Sequence, residues 1–157
     1  MRSFAVVLWV CVGVVATAAA ETYRVGTIEV AETWARATPS GASVTAGYMR
    51  ITNHGPAPDR LLAIRMDAAL AVDLLELSLA DNVMRLRSLG RGVEIAAGRT
   101  VEFRPGAPWQ AVVSGLSVPL RPGDRLPATL VFEQAGDVTV DLVVQPIGTG
   151  LRWSSGG

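Results

Sequence analysis

Apolar and polar residues alternate along most of this chain in short windows, with a period of two and little trace of the 3.6-residue period of a helix. Val, Ile, Leu and Thr fill those windows, as they do in strands half-buried against a core. The pattern predicts strands at Thr27–Ala31, Ala46–Thr52, Arg60–Met66, Ala71–Ser78, Val83–Leu89, Val93–Ile95, Thr100–Phe103, Gln110–Ser114, Ala128–Glu133 and Thr139–Val144. Turn chemistry separates them: Asn53-His54-Gly55-Pro56, Asp81-Asn82, Ala97-Gly98, Pro105-Gly106, Pro122-Gly123-Asp124 and Ala135-Gly136-Asp137. Gly and Asn tolerate positive φ, and Pro presets the first corner of a turn. Turns at roughly ten-residue spacing predict an all-β sandwich or barrel. The stretch between Pro105 and Leu126 leaves room for the irregular crossover that a Greek key requires.

The two ends read differently. Arg2 precedes an apolar run from Phe4 to Val15, broken only by Gly13, and small residues follow with Ala18 and Ala20 spaced as a cleavage site needs. Residues 1–20 are therefore expected to be a secretory signal peptide, cut after Ala20, because the run is too short for the ~20 residues of a membrane span. Lipidation at Cys11 is not expected, since Leu8-Trp9-Val10 places bulky residues before it and Cys11 lies inside the apolar run. Residues 21–145 form one predicted domain, and the Gly- and Ser-rich residues 146–157 a predicted disordered tail. Cys11 is the single cysteine, so the exported domain has neither a disulfide nor a thiolate ligand.

Charge narrows the field. The 157 residues carry 14 basic and 14 acidic side chains, a formal net charge of +0, and every basic residue is Arg. A balanced chain gives no reason to expect nucleic acid or an anionic membrane as partner. Carboxylates are scattered, with Asp81, Asp124 and Asp137 in turns, and show no calcium-loop spacing. One His, His54, lies in a turn, and Ser40, Ser43 and Ser114 have no recognisable base beside them, so no enzyme is expected. Arg85 and Arg87 alternate with Met84 and Leu86, as on a solvated strand face or one that meets an acidic partner.

A set of ordered landmarks resembles the periplasmic PCu(A)C copper chaperone family. Trp34-Ala35-Arg36-Ala37-Thr38-Pro39 with Ala46-Gly47-Tyr48 looks like its opening. Ile51-Thr52-Asn53, Gly55 and Asp59-Arg60-Leu61 look like its second landmark, and Val83-Met84-Arg85 with Arg87 like its central hairpin. Pro119-Leu120, Gly123-Asp124, Leu130-Val131-Phe132-Glu133 and Ala135-Gly136 resemble its last third. The resemblance implies a cupredoxin-like Greek-key β-sandwich in the periplasm. It also implies a copper chaperone for the CuA centre of cytochrome c oxidase, holding Cu(I) through two His and two Met.

Those ligand positions fall here on Leu75, on Leu86 and near Trp109-Gln110-Ala111, with no His or Met among them. Thioether and imidazole suit soft Cu(I), and hydrocarbon supplies no lone pair. No cofactor is therefore expected, and copper comes by resemblance alone. A substitute site would have to draw on Met49, Met66, Met84 and His54. Leu75, Leu77, Leu86 and Trp109 either close the core over the vacated site or form an apolar contact for a periplasmic protein partner.

Overall fold

A computed structural model describes residues 21–148; the predicted leader at 1–20 and the tail from 149 onward lie outside the described residues. The described residues form eleven strands and no helix. In chain order they are β1 Thr22–Val25, β2 Ile28–Arg36, β3 Val44–Asn53, β4 Asp59–Arg65, β5 Ala71–Ala80 and β6 Val83–Ser88. There follow β7 Val93–Ile95, β8 Thr100–Phe103, β9 Trp109–Ser114, β10 Arg125–Phe132 and β11 Gly136–Gln145.

The strands share one ladder in the order β6-β5-β9-β8-β3-β2-β11-β10-β4-β7, with β1 paired to β2. Most neighbours are antiparallel; β2 and β11 run parallel, as do β8 and β9 where Phe103 meets Trp109. Non-consecutive neighbours such as β2 with β11 and β4 with β10 make the Greek key. The ladder curls until β4 lies against β5 and β7 against β3, which closes a cupredoxin-like sandwich.

Period-two burial fills the interior. Along β10 Leu126, Ala128, Leu130 and Phe132 are buried, and along β11 Val140, Leu142 and Val144. They pack with Ile28, Val30, Met49, Ile51, Leu61, Ile95, Phe103 and Val113 in one core. Pro127 is tolerated in β10 because β4 pairs only with Thr129–Phe132, so its missing N–H deprives no neighbour.

Two polar side chains tie the loops to this core. Asn53 is fully buried: its Nδ2 donates to the carbonyls of Ala57 (2.8 Å) and Ile95 (3.1 Å), and its Oδ1 accepts from the Gly55 amide (2.9 Å) and Thr27 Oγ1 (3.2 Å). Gly55 is required there, because a Cβ would lie 2.7 Å from Thr27 Oγ1. Asp59 accepts the amides of Arg60 (2.7 Å), Gln134 (2.9 Å) and Ala135 (3.0 Å), which fastens the β10–β11 turn to the start of β4. Every acceptor bond is charge-assisted, so burial of this carboxylate is compensated.

Several strands run beyond their predicted ends, β10 starting at Arg125 and β11 at Gly136, and three differences change the architecture. β1 was not anticipated, and β2 runs on to Arg36 instead of stopping at Ala31. The extension passes through a bulge: Ala31 pairs with Arg50 and Trp34 with Tyr48, so Glu32 and Thr33 together face Met49. Glu32 takes φ 55° there, and its carboxylate meets Arg50 at 2.7 Å. The third difference is that the crossover is shorter than Pro105–Leu126 suggested. It spans 115–124, after β9, and buried Leu120 docks it through its carbonyl to the Thr38 amide (3.0 Å).

Candidate functional site

The β5–β6 hairpin carries the candidate site. Its turn, Asp81-Asn82, has φ values of 53° and 60°, the paired positive values of a tight I′ hairpin turn, and it sets Ala80 opposite Val83. From that register Leu77 faces Leu86, Leu79 faces Met84 and Leu75 faces Ser88. Cross-strand partners share a sheet face, so Leu75, Leu77, Leu79, Met84 and Leu86 form one apolar stripe.

The stripe is open to solvent at its outer end. Leu79 is 70% exposed, Met84 67% and Leu86 61%, while Leu75 and Leu77 are half-buried. Every residue of β6 is exposed. The opposite face carries Arg87, whose guanidinium pairs with Glu76 across the hairpin (Nε to Oε2, 3.1 Å), and Arg85 opposite Ser78.

Trp109 does not join the stripe. It stands opposite Glu76, whereas Gln110 stands opposite Leu75, so the indole lies on the other face of the sheet. There it packs against the core and borders a groove of about 240 Å³ lined by Thr100, Glu102, Arg104, Ala107 and Pro108. The four residues anticipated as one surface therefore separate into three on the outer face and one beneath it. Leu79 also belongs to the stripe, as its spacing of two residues from Leu77 and four from Leu75 implies.

The residues able to donate to soft copper are dispersed. Met49 (0% exposed) and Met66 (8%) are core side chains. Met84 stands alone on the hairpin stripe. His54 sits after β3 on the surface, its Nε2 3.5 Å from Glu29 Oε2 and its amide bonded to the Thr27 carbonyl. The polar side chains opposite Leu75 are Ser88 on β6 and Gln110 on β9, and the Gln110 amide is turned to the Ala107 carbonyl (2.8 Å). One thioether with no imidazole on its face does not fit the donor set that Cu(I) prefers. Among the described residues no three His, Cys, Asp or Glu side chains gather as a metal site.

A second cluster stiffens the frame beside β3. Trp34 stacks on Tyr48 with ring centroids 4.1 Å apart and 27° between planes, and the Arg36 guanidinium lies 5.6 Å from the Tyr48 ring centre. Burial pushes the Tyr48 phenol up from its ordinary range, and Arg36 pulls it back in part. The family-like landmarks Trp34, Arg36 and Tyr48 thus serve packing, as Asn53, Gly55 and Asp59 serve loop attachment.

Comparison with known proteins agrees with this frame. The copper-bound PCuAC domain of PmoF2 matches at TM-score 0.67 and 25% identity, covering 80% of this chain and 98% of that one. The apo PCuAC domain of PmoF1 matches at TM-score 0.68 and 25% identity, covering 80% and 99%. The Cu(I) form of DR1885 from Deinococcus radiodurans shares the fold at TM-score 0.55 and 19% identity, covering 84% and 85%. No curated protein matches the sequence. The model of the LpqE-like lipoprotein family matches residues 28–144, from the first core residue of β2 to the last of β11. By that match, and with a PCuAC-type fold, the chain belongs to the LpqE-like family.

Proposed function

We propose that this chain is an exported binding module that keeps the PCuAC frame and presents an apolar hairpin to a protein partner instead of holding copper. The observation that carries the reading is the exposure of Leu79, Met84 and Leu86 on one face of a hairpin. Side chains of that size left in water on a protruding element favour contact with another surface. Leu79, Met84 and Leu86 supply the contact with half-buried Leu75 and Leu77 beside them, while Trp109 packs against the core on the other face of the sheet. The dispersal of Met49, Met66, Met84 and His54 supports the loss of a cuprous site. The absence of a nucleophile–base pair in the sequence supports binding over catalysis. The signal-like residues 1–20 and the lipoprotein family both favour export, and we read the mature chain as beginning at Glu21.

Titration of the purified domain with Cu(I) against a competing chelator tests the reading. The expected result is no uptake at about micromolar affinity or tighter. Stoichiometric uptake at that affinity would return the chain to copper delivery. In parallel, a partner captured by the wild type from a periplasmic extract is expected to be lost with Leu86→Asp. Equal capture by both would remove the hairpin from the interface. Intact-mass measurement of the exported chain reads the cleavage site directly: a mass starting at Glu21 supports it, and a diacylated Cys11 refutes it.

A further inference from the structure

We propose that β6 is a docking edge that takes an extended segment of the partner as an added antiparallel strand, and that this segment alternates apolar and acidic residues. The inference rests on the binding-module reading above and specifies how the hairpin binds.

The backbone supplies the first argument. The Leu77 amide donates to the Pro108 carbonyl (2.6 Å), so the main-chain groups of Leu77 point toward β9 and away from β6. The Leu89 amide donates to the Leu74 carbonyl (2.8 Å), so Leu74 points the other way. Main-chain direction alternates along a strand, and in an antiparallel pair opposed residues either both bond each other or both turn outward. Leu77 opposes Leu86, hence the N–H and C=O of Leu86 face outward, with those of Met84 and Ser88. β6 ends the ladder, and it contains no Pro and no bulge to blunt it. The opposite end of the ladder is β7, three residues long, with Val93 and Ile95 buried. β6 is twice that length and exposed throughout.

Side chains supply the second argument and choose the occupant. An added strand would set alternate residues against Met84 and Leu86 on one face and against Arg85 and Arg87 on the other. Arg87 already has Glu76, while Arg85 makes no ion pair among the described residues. A second copy of this chain fits poorly. A symmetric antiparallel pair centred on β6 that keeps the apolar residues together sets Arg85 against its own counterpart or against Arg87. Like charges directly opposed are destabilising, and opposite charges contribute. An apolar–acidic–apolar strand satisfies both faces, which is recognition by strand addition with side-chain selection.

The test uses the domain from residue 21 onward and two blocked synthetic peptides, one alternating valine with glutamate and one alternating valine with lysine. Binding is followed by calorimetry and by amide shifts in NMR spectra. The glutamate peptide is expected to bind saturably, about ten-fold tighter than the lysine peptide, from two opposed charge pairs. The shifts are expected at Met84, Leu86 and Ser88. Leu86→Pro removes an outward N–H without touching a ladder bond and is expected to weaken binding about ten-fold. Methylating the edge-facing amides of the peptide repeats that loss with the protein unaltered. Arg85→Glu is expected to bring the two peptides to about equal affinity, and Arg85→Glu combined with Arg87→Glu to reverse their order; an unchanged preference in both variants would overturn the charge selection. Full binding by the N-methylated peptide and by Leu86→Pro, with loss in Leu86→Asp, would overturn strand addition and leave the apolar contact standing. Failure of both peptides to bind at about 1 mM overturns the inference. Concentration-dependent dimerisation that Leu86→Pro abolishes overturns it too, by giving the edge to a second copy.

Discussion

Glu76 stands directly across from Trp109 at the point where β5 leaves β9, and beyond one more main-chain bond, from the Leu77 amide to the Pro108 carbonyl, the hairpin is laddered only to itself. Leu86 and Leu74, close together on the same hairpin, consequently have unlike surroundings: Leu86 is exposed and Leu74 is buried in the core. Leu86→Ser is expected to lower the unfolding free energy by about 0.5 kcal/mol, the scale of one cross-strand pair. Leu74→Ala is expected to cost about 3 kcal/mol through lost burial and a residual cavity. Urea unfolding of both variants checks the contrast. Similar losses would mean that the outer face is packed rather than presented.

Asp59 gathers the amides of Arg60, Gln134 and Ala135, so its removal leaves three part-buried donors unmet. Asp59→Ala is expected to destabilise by about 1–3 kcal/mol, and the β10–β11 turn should lose hydrogen-exchange protection first. A cost below about 1 kcal/mol would show that water replaces the carboxylate freely.

The close approach at Gly55 gives a steric prediction. A methyl group there would press on Thr27 Oγ1, itself bonded to Asn53. Gly55→Ala is expected to cost about 1–3 kcal/mol by thermal unfolding. Thr27→Ala in the same chain should recover part of that cost, a coupling that a double-mutant cycle reads out.

Met84 is exposed while Met49 and Met66 are buried, so dilute peroxide should convert Met84 to the sulfoxide first. Peptide mass mapping over a time course checks the order. Early oxidation of Met49 would contradict its place in the core.

Arg125, and after it the Tyr23 hydroxyl, hold the Glu21 carboxyl below its ordinary value by hydrogen bonding. A lowered folded-state value means that the contribution is present above the unfolded carboxyl's titration and is lost as pH falls through the folded one. The Glu21 carboxyl resonance is therefore expected to titrate at lower pH than those of unpaired glutamates, and Arg125→Ala should move it back up. An unmoved midpoint would show that the pair does not persist in solution.

Most of the sheet was legible because alternation reports burial directly, as in β7 and β8, whose limits coincide with the sequence pattern. β1 escaped because its residues lie outside the core proper, two exposed and two half-buried, and give no strong apolar rhythm. The alternation of β2 breaks after Ala31 because the bulge at Glu32 and Thr33 shifts its phase by one residue. The same sensitivity governs the candidate site. The shared face of Leu75, Leu77 and Leu86 follows from spacing within a hairpin. The face of Trp109 depends on the register between β5 and β9, and one step in register moves a side chain to the other side. Exposure could not be read at all, since Leu79 and Leu74 are the same residue type in the same strand and differ only in what the fold lays over them.

The outer hairpin, from Ser78 to Arg85, closes on itself and contributes no side chain to the central cluster. Mutations there can accumulate across generations without endangering foldability, since Ile28, Phe103 and Leu142 are indifferent to them. On the proposed reading, such a lineage can alter what it grips by rewriting a fingertip, and overall kinship would then record the inherited chassis more than the grip.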